Sequence, residues 1–265
     1  MSRLTQVFNN LPKGQKAFIP FITAGDSGLD NTYALMQTLV DNGADVIELG
    51  VPFSDPMADG PVIAKSHERA VADGVSLHDV LDLVKKFRQS NNTTAIVLMG
   101  YLNPIEVFGY QAFADAASES GVDGVLVVDM PPEEAHDLKQ CLDGVDIDFI
   151  FLVAPTTTND RLASLANIAS GFVYFVSLKG VTGAGHLDID LVNTNLARIR
   201  QFIDLPVGVG FGIKDAATAK AVSVSADAVI VGSSLVSFIE KYATDRDKML
   251  TSVGALSAEI SAAIK

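Results

Sequence analysis

The 265-residue sequence predicts an α/β fold, a (β/α)8 TIM barrel made by one domain over residues 1–265 with an extra helix at each end. Eight short apolar runs rich in β-branched residues alternate with segments of helical periodicity, and no Ser/Pro-rich linker separates them. The runs do not alternate strictly between apolar and polar residues, which is typical of parallel strands covered on both faces. A chain of this length often forms a single α/β barrel.

The predicted strands extend along the whole chain. In order they are AFIPFIT (17–23), DVIEL (45–49), AIVLM (95–99), GVLVV (124–128), DFIFLV (148–153), FVYFVS (172–177), PVGVGF (206–211) and AVIVG (228–232). The helical segments between them are 32–43, 77–89, 110–121, 133–142, 161–170, 191–203 and 215–225. Residues 2–10 and 245–265 supply the two additional helices. A doubly wound open sheet is the alternative, but ITAGDSG after the first strand lacks its phosphate-binding G-x-G-x-x-G motif.

The composition argues against several kinds of partner. The formal net charge is −13 and Lys and Arg are not clustered, so we expect neither nucleic acid nor an anionic membrane surface as a partner. The apolar stretch 17–25 is interrupted by Pro20 and is shorter than the roughly 18 residues of a membrane span. Cys141 is the only cysteine, which excludes an intramolecular disulfide and suits a reducing compartment. We therefore expect a cytoplasmic protein.

The histidines do not predict a metal site. Four are present, and none has metal-ligand spacing; we expect them at surface or helix positions, and they are His67, His78, His136 and His186.

Extra chain follows the second and sixth predicted strands. The distance between strand starts is 22 to 34 residues elsewhere, but 50 between strands 2 and 3. This surplus holds residues 52–74, and a second surplus holds residues 179–190, whose glycines are typical of a mobile lid. Both follow the C-terminal ends of strands, where barrels carry their active sites.

Glu48 ends the second predicted strand and is the first candidate for chemistry. Side-chain alternation places Val46 and Glu48 on one side of the strand, and Ile47 and Leu49 on the other. If the apolar pair faces the helices, Glu48 points into the barrel mouth, where burial raises the pKa of a carboxyl toward the range of a general acid or base. An ion-paired or helix-capping carboxylate is the alternative.

A second carboxylate on the following loop could divide the acid and base work with Glu48. Asp55 and Asp59 are both candidates, and spacing alone does not rank them. Asp beside Pro or Gly is also ordinary turn chemistry.

Glycine-containing turns follow the seventh and eighth strands, in GVGFGIKD (208–215) and VGSSLV (231–236). These are the repeats that commonly form a barrel's phosphate site, where glycines let backbone N–H groups approach the phosphate. With GAG at 183–185 from the lid, they predict a phosphate-binding site, although βα turns favour glycine in any case.

Tyr174 on the sixth predicted strand and Lys179 just after it would point to opposite sides of that strand. Tyr174 is either a core aromatic residue or a hydroxyl near the reacting centre. Lys179 could form a Schiff base, but if Tyr174 points inward, Lys179 does not.

Seven motifs together resemble the tryptophan synthase alpha subunit family, from end to end and in the family's order. They are PFITAGD, ELGVPFSDPMADGP, LMGYLNPI, GVDGVLVVDMP, VYFVSLKGVTG, GVGFGI and VGSSLV. The resemblance implies a (β/α)8 barrel that cleaves indole-3-glycerol phosphate to indole and glyceraldehyde 3-phosphate by a retro-aldol reaction, without metal or organic cofactor. It also implies that Glu48 and Asp59 are the catalytic carboxylates, which decides between the two aspartates, and that Tyr174 lies near the reacting atoms.

The resemblance further implies binding residues and a partner. Those for the substrate are Phe21, Ile63, Met99, Tyr101, Leu126, Thr182 and Phe211, and those for its phosphate are Gly183, Gly212, Gly232 and Ser233. The partner is a beta subunit that carries pyridoxal phosphate and receives indole through a tunnel in an α2β2 assembly. On this chain, the docking surface for the beta subunit would be formed by loops that hold Asp55, Asn103 and Pro104. The rival functions are a Schiff-base aldolase that uses Lys179 and a phosphate-sensing subunit without activity.

Overall fold

Eight parallel strands form a closed barrel in the computed structural model, which describes residues 2–177, 188–210 and 212–265. The strands are β1 Ala17–Thr23, β2 Val46–Gly50, β3 Ala95–Gly100, β4 Gly124–Val127, β5 Asp148–Val153, β6 Val173–Val176, β7 Val207–Gly210 and β8 Ala228–Val231. Each pairs in parallel with the next, and β8 pairs with β1. The predicted (β/α)8 barrel and all eight strand positions are confirmed, with ends that differ by at most one residue.

The described residues form twelve α-helices and one 3₁₀ turn. The helices are α1 Arg3–Asn10, α2 Leu29–Asp41, α3 Pro61–Ala72, α4 Leu77–Arg88, α5 Leu102–Phe108, α6 Tyr110–Ser120, α7 His136–Asp143, α8 Asn159–Leu165, α9 Ile189–Ile199, α10 Ala216–Ser223, α11 Ser233–Lys241 and α12 Arg246–Ile264. The 3₁₀ turn is Pro132–Glu134. Helices α1 and α12 are the predicted additional helices at the two ends.

Two apolar clusters separate the inside of the barrel from its outside. The inner cluster contains Val46 and Tyr174 and is closed by Leu4 of α1, which is fully buried. Ile47 and Leu49 belong to the outer cluster, between strands and helices. The alternation predicted for β2 is therefore correct, and Glu48 shares the inward face with Val46.

A repeated hydrogen bond fixes the strands in pairs at their N-terminal ends. A side chain just before each even-numbered strand accepts a backbone N–H from the preceding odd-numbered strand, at 2.8 to 2.9 Å. The four acceptors, in order from β2 to β8, are Asp45, Asp123, Ser170 and Asp227. Each aspartate also pairs with a cation, as Asp123 does with Arg88 at 2.7 Å. This end of the barrel holds the strand register.

Two segments predicted as loops are largely helical, which corrects the expectation for them. Residues 61–72 of the first surplus form α3, with Pro61 in its first turn, where the missing N–H of proline costs no helical hydrogen bond. The segment with Asn103 and Pro104, expected as a loop, forms α5 Leu102–Phe108, and Pro104 again lies in the first turn.

Candidate active site

Glu48 lies at the end of β2 in the barrel mouth, only 1% exposed. In the register of the barrel it pairs with Phe21 on one side and Val97 on the other. Its Oε1 atom has no hydrogen-bond partner in the described part of the chain. Burial, and secondarily the nearby charge of Asp59, raise the pKa of Glu48 to about 8. The carboxyl is therefore protonated at neutral pH and can donate a proton.

Asp59 lies at the end of the loop that follows β2, and its side chain is 8% exposed. The hydroxyl of Tyr101 donates to Asp59 Oδ2 at 2.7 Å and accepts the Ala58 N–H at 3.0 Å. Burial raises the pKa of Asp59, and the bond from Tyr101 opposes that rise. Asp55, on the same loop, is exposed, so the structure separates the two aspartates that spacing could not rank.

Tyr174 points into the barrel from β6 and is buried. A Cβ atom placed on Gly210 would lie 2.1 Å from its hydroxyl oxygen, so only glycine at that position of β7 leaves room for the ring. Burial, then the charges of Glu48 and Asp59, raise the pKa of Tyr174 well above its ordinary value. The hydroxyl stays neutral and lies in the electrostatic field of both carboxyls.

Helix α3 forms one wall of the site and is fixed at two points. Its Ser66 hydroxyl lies 2.6 Å from that of Thr23 on β1, and its Arg69 holds the fully buried Asp26 through two bonds of 2.7 and 3.0 Å. His67 lies between these anchors and is buried, whereas the sequence suggested a surface or helix position. His67 does lie on a helix, as expected, but it does not lie at the surface. His78 and His136 are exposed helix residues, as expected.

The predicted apolar substrate residues in the described chain line the same mouth. The ring of Phe21 lies over Gly50, where an added Cβ would approach Cζ of the ring to 2.7 Å. Gly232 faces both Phe21 and Ile63 of α3, since a Cβ there would lie 3.4 and 3.2 Å from them. Leu126 belongs to the inner cluster, and Met99 packs against it.

The two glycine turns differ at the helix that follows. Helix α10 begins after Asp215, whose side chain accepts the Thr218 N–H in a closed capping box. Helix α11 begins at Ser233 directly after Gly232, and no side chain caps it, so its first N–H groups can meet an anion. Gly212 is exposed with a φ of 76°, in the left-handed region that favours glycine.

Several predicted residues lie outside the described residues. These are Thr182 and Gly183 of the expected lid, Phe211, and also Lys179 and His186.

The residues predicted for partner docking lie on the outer rim of this face. Asp55 and Asn103 are exposed and Pro104 is half-buried; the last two lie on α5 rather than on a loop. Beside them, Met57 and Val107 expose more than 80% of their surface. They are the two most exposed large apolar side chains in the described ranges, followed by Val224 at 79%.

Other kinds of site find no support within the three described ranges. No three His, Cys, Asp or Glu side chains there lie close enough together to hold a metal ion. Likewise, none of the helices in those ranges is long and apolar enough to span a bilayer.

Taken together, the mouth holds a protonated carboxyl, a second carboxyl of different surroundings and apolar side chains, and Gly232 at the uncapped N-terminus of α11 faces two of those side chains. This arrangement can protonate a bound carbon or heteroatom, stabilise a developing positive charge and hold an anionic group.

Comparisons with known proteins identify the relatives of this chain. A family model for the tryptophan synthase alpha chain matches residues 8–265. The tryptophan synthase alpha chain of Ruthia magnifica subsp. Calyptogena magnifica is 77% identical over 265 residues, all of both chains. The crystal structure of tryptophan synthase subunit alpha from Legionella pneumophila str. Paris matches with a TM-score of 0.93 and 40% identity, over 100% of this chain and 98% of that one. A chain of the Pyrococcus furiosus tryptophan synthase complex matches with a TM-score of 0.82 and 34% identity, over 93% and 98%.

Proposed function

Since the chain belongs to the tryptophan synthase alpha chain family and cleaves indole-3-glycerol phosphate to indole and glyceraldehyde 3-phosphate, we propose that Glu48 and Asp59 carry out this cleavage. The observation that supports the assignment best is the burial of Glu48 with a pKa near 8, beside a second carboxyl of different surroundings. Two carboxyls in different environments can share acid and base roles.

Glu48 acts first as the general acid. It transfers its proton to C3 of the indole ring, which makes C3 tetrahedral and leaves a positive charge on the ring nitrogen. The bond from C3 to the glycerol chain then breaks, its electrons return to the ring, and the adjacent hydroxyl becomes the aldehyde carbonyl. Glu48, now ionised, takes the proton of that hydroxyl and returns to its starting state.

Asp59 acts as the electrostatic partner. Its carboxylate accepts a hydrogen bond from the indole N–H and stabilises the positive charge that develops when C3 is protonated. The bond from Tyr101 supports this role because it favours the ionised form of Asp59. Tyr174, which stays neutral, lies on the inward face with Glu48 and supplies a hydroxyl beside the reacting atoms.

The remaining side chains bind the substrate. The indole ring lies against the apolar side chains Phe21, Ile63, Met99, Tyr101 and Leu126, with Phe211 and Thr182 from segments beyond the described residues. The phosphate lies at the N-terminus of α11, held by backbone groups of Gly232 and Ser233 and by the turns of Gly212 and Gly183. Support comes from the absence of a capping side chain at α11, which leaves its positive end free for an anion.

The partner in this proposal is a tryptophan synthase beta subunit in an α2β2 heterotetramer in the cytoplasm. A tryptophan synthase complex among the solved relatives supports the pairing. The exposed rim of Asp55, Asn103 and Pro104, with Met57 and Val107, would contact it and pass indole onward. Pyridoxal phosphate would belong to the beta subunit, and the cleavage on this chain needs neither metal nor organic cofactor.

Glu48→Gln tests the proposal directly. In the full chain, with and without an added beta chain, the variant should release no indole yet still bind a non-cleavable substrate analogue, because only the transferable proton is lost. Glu119→Gln, an exposed change on α6, serves as the matched control and should cleave like the wild type. Wild-type turnover by Glu48→Gln would overturn the assignment.

A further inference from the structure

His67 is a buried polar side chain whose surroundings give it a fixed direction. It lies on the inward face of α3 with Ser66 and Ala70, one residue from the bond to Thr23 and two from the ion pair of Arg69. Both anchors tie α3 to the end of β1, so the imidazole is held by a rigid element, whereas Asp59 belongs to a loop.

The hydrogen bonds of His67 define its donor atom. Its Nδ1 accepts the backbone N–H of Phe53 at 3.1 Å. A neutral imidazole that accepts at Nδ1 carries its proton on Nε2. Burial lowers the pKa of His67 to about 4, so the ring is neutral at physiological pH, and its approach to Asp59 is that of a neutral donor rather than an ion pair.

That Nε2 atom faces the carboxylate of Asp59. It lies 3.7 Å from Oδ2, the same oxygen that accepts from Tyr101. The Tyr101 ring meets His67 edge-on with centroids 6.4 Å apart, so both side chains pack against each other beside the carboxylate. A shift of roughly 0.7 Å would bring nitrogen and oxygen to the ~3.0 Å of an N–H···O bond, and catalytic hydrogen bonds commonly tighten as the substrate complex forms.

We propose that His67 is a positioning residue for the reaction: its Nε2–H becomes the second donor to Asp59 Oδ2 in the substrate complex, and its Nδ1 holds the loop at Phe53. Together with Tyr101 it fixes the carboxylate so that the other oxygen, Oδ1, is directed at the indole N–H. The inference rests on the proposed role of Asp59 and adds a residue to it.

Three substitutions separate the two ends of the imidazole. His67→Gln keeps a donor near the position of Nε2, His67→Asn keeps an acceptor near Nδ1 but no donor that reaches Asp59, and His67→Leu keeps neither. His136→Gln, an exposed change on α7, is the control. The assay is indole release by the full chain, from which kcat and KM are determined separately. The rate is also measured against pH down to the acid limb, where activity falls as pH decreases. The charged or titratable groups placed here against the ring are Asp59 and Tyr101, with Glu48 coupled through Asp59.

We expect His67→Leu to lower kcat about tenfold or more, the effect of losing a hydrogen bond to a charged group, with KM nearly unchanged. Its acid limb should move to higher pH, since Asp59 loses a donor that favours its ionised form. His67→Asn should behave like His67→Leu. His67→Gln should keep most of the wild-type kcat, and its acid limb should lie near the pH of the wild-type limb.

If His67→Asn and His67→Gln have equal kcat values and acid limbs at the same pH, the inference is overturned, even if His67→Leu fails to fold. Asp59→Asn distinguishes this failure from that of the proposed function: full activity of Asp59→Asn refutes the role of Asp59 itself. Loss of activity in Asp59→Asn with normal His67 variants refutes only the inference about His67.

Discussion

Replacing Glu48 by glutamine should remove a pH dependence from the stability of the whole chain. The pKa of Glu48 rises from an ordinary value of 4.5 to about 8 on folding. Between these two values the folded chain holds a proton that the unfolded chain has lost, so the wild type loses stability as pH rises through this window. At about 1.4 kcal/mol per pKa unit, the loss is about 3 to 5 kcal/mol, complete above about pH 8.

Urea denaturation of wild type and Glu48→Gln at a series of pH values from about 5 to about 9 measures this directly. The difference in unfolding free energy between them should change by about 3 to 5 kcal/mol in favour of the variant toward alkaline pH. The glutamine amide adds an unsatisfied donor or acceptor in the same place, but that cost does not depend on pH and cancels. Glu119→Gln should give a flat difference. A flat difference for Glu48→Gln as well would mean that Glu48 is ionised at neutral pH, and the reasoning from burial would be refuted.

Three further predictions concern the supports of the site. Tyr101→Phe removes a bond that lowers the pKa of Asp59, so kcat/KM should fall about tenfold and the acid limb should move to higher pH; an unmoved limb in the pH profile would contradict this. Arg69→Met leaves the buried carboxyl of Asp26 unpaired and should cost about 3 kcal/mol in urea denaturation, and a loss below about 1 kcal/mol would contradict it. Leu4→Ala opens a cavity at the closed end of the barrel and should cost about 2 to 5 kcal/mol, seen as a lowered Tm, with indole release unchanged below that temperature.

The barrel and the direction of Glu48 could be predicted because each depends on short-range periodicity. Runs such as AIVLM (95–99) are buried on both faces and need no partner to be recognised. In β2, the apolar Ile47 and Leu49 face the helices. Because side chains alternate along a strand, Glu48 then points into the barrel. The uneven spacing of the strands also predicted the extra chain after β2, which lies at the C-terminal ends of the strands with Glu48 and Asp59.

The helices of that face could not be predicted in the same way. The buried face of α3 consists of Ser66, His67 and Ala70, so its spacing is helical but its residues are hardly apolar. Proline in the first turn of α3 and α5 is as typical of a turn as of a helix start, so it does not distinguish a loop from a helix. The contact of His67 with Asp59 joins a helix to a loop, and no local pattern in the sequence specifies such a contact.

The four side-chain bonds at the N-terminal ends of the strands have a consequence for redesign. Asp45, Asp123, Ser170 and Asp227 tie the barrel into four strand pairs at the end remote from the chemistry. A one-residue slip would turn the side chains of a strand to its other face, and these bonds oppose that slip without help from the loops that carry Asp59 or the helix that carries His67. Those loops can therefore be exchanged for others while the strands keep their alignment, which makes this barrel a suitable frame for grafting new loops and new substrate preferences.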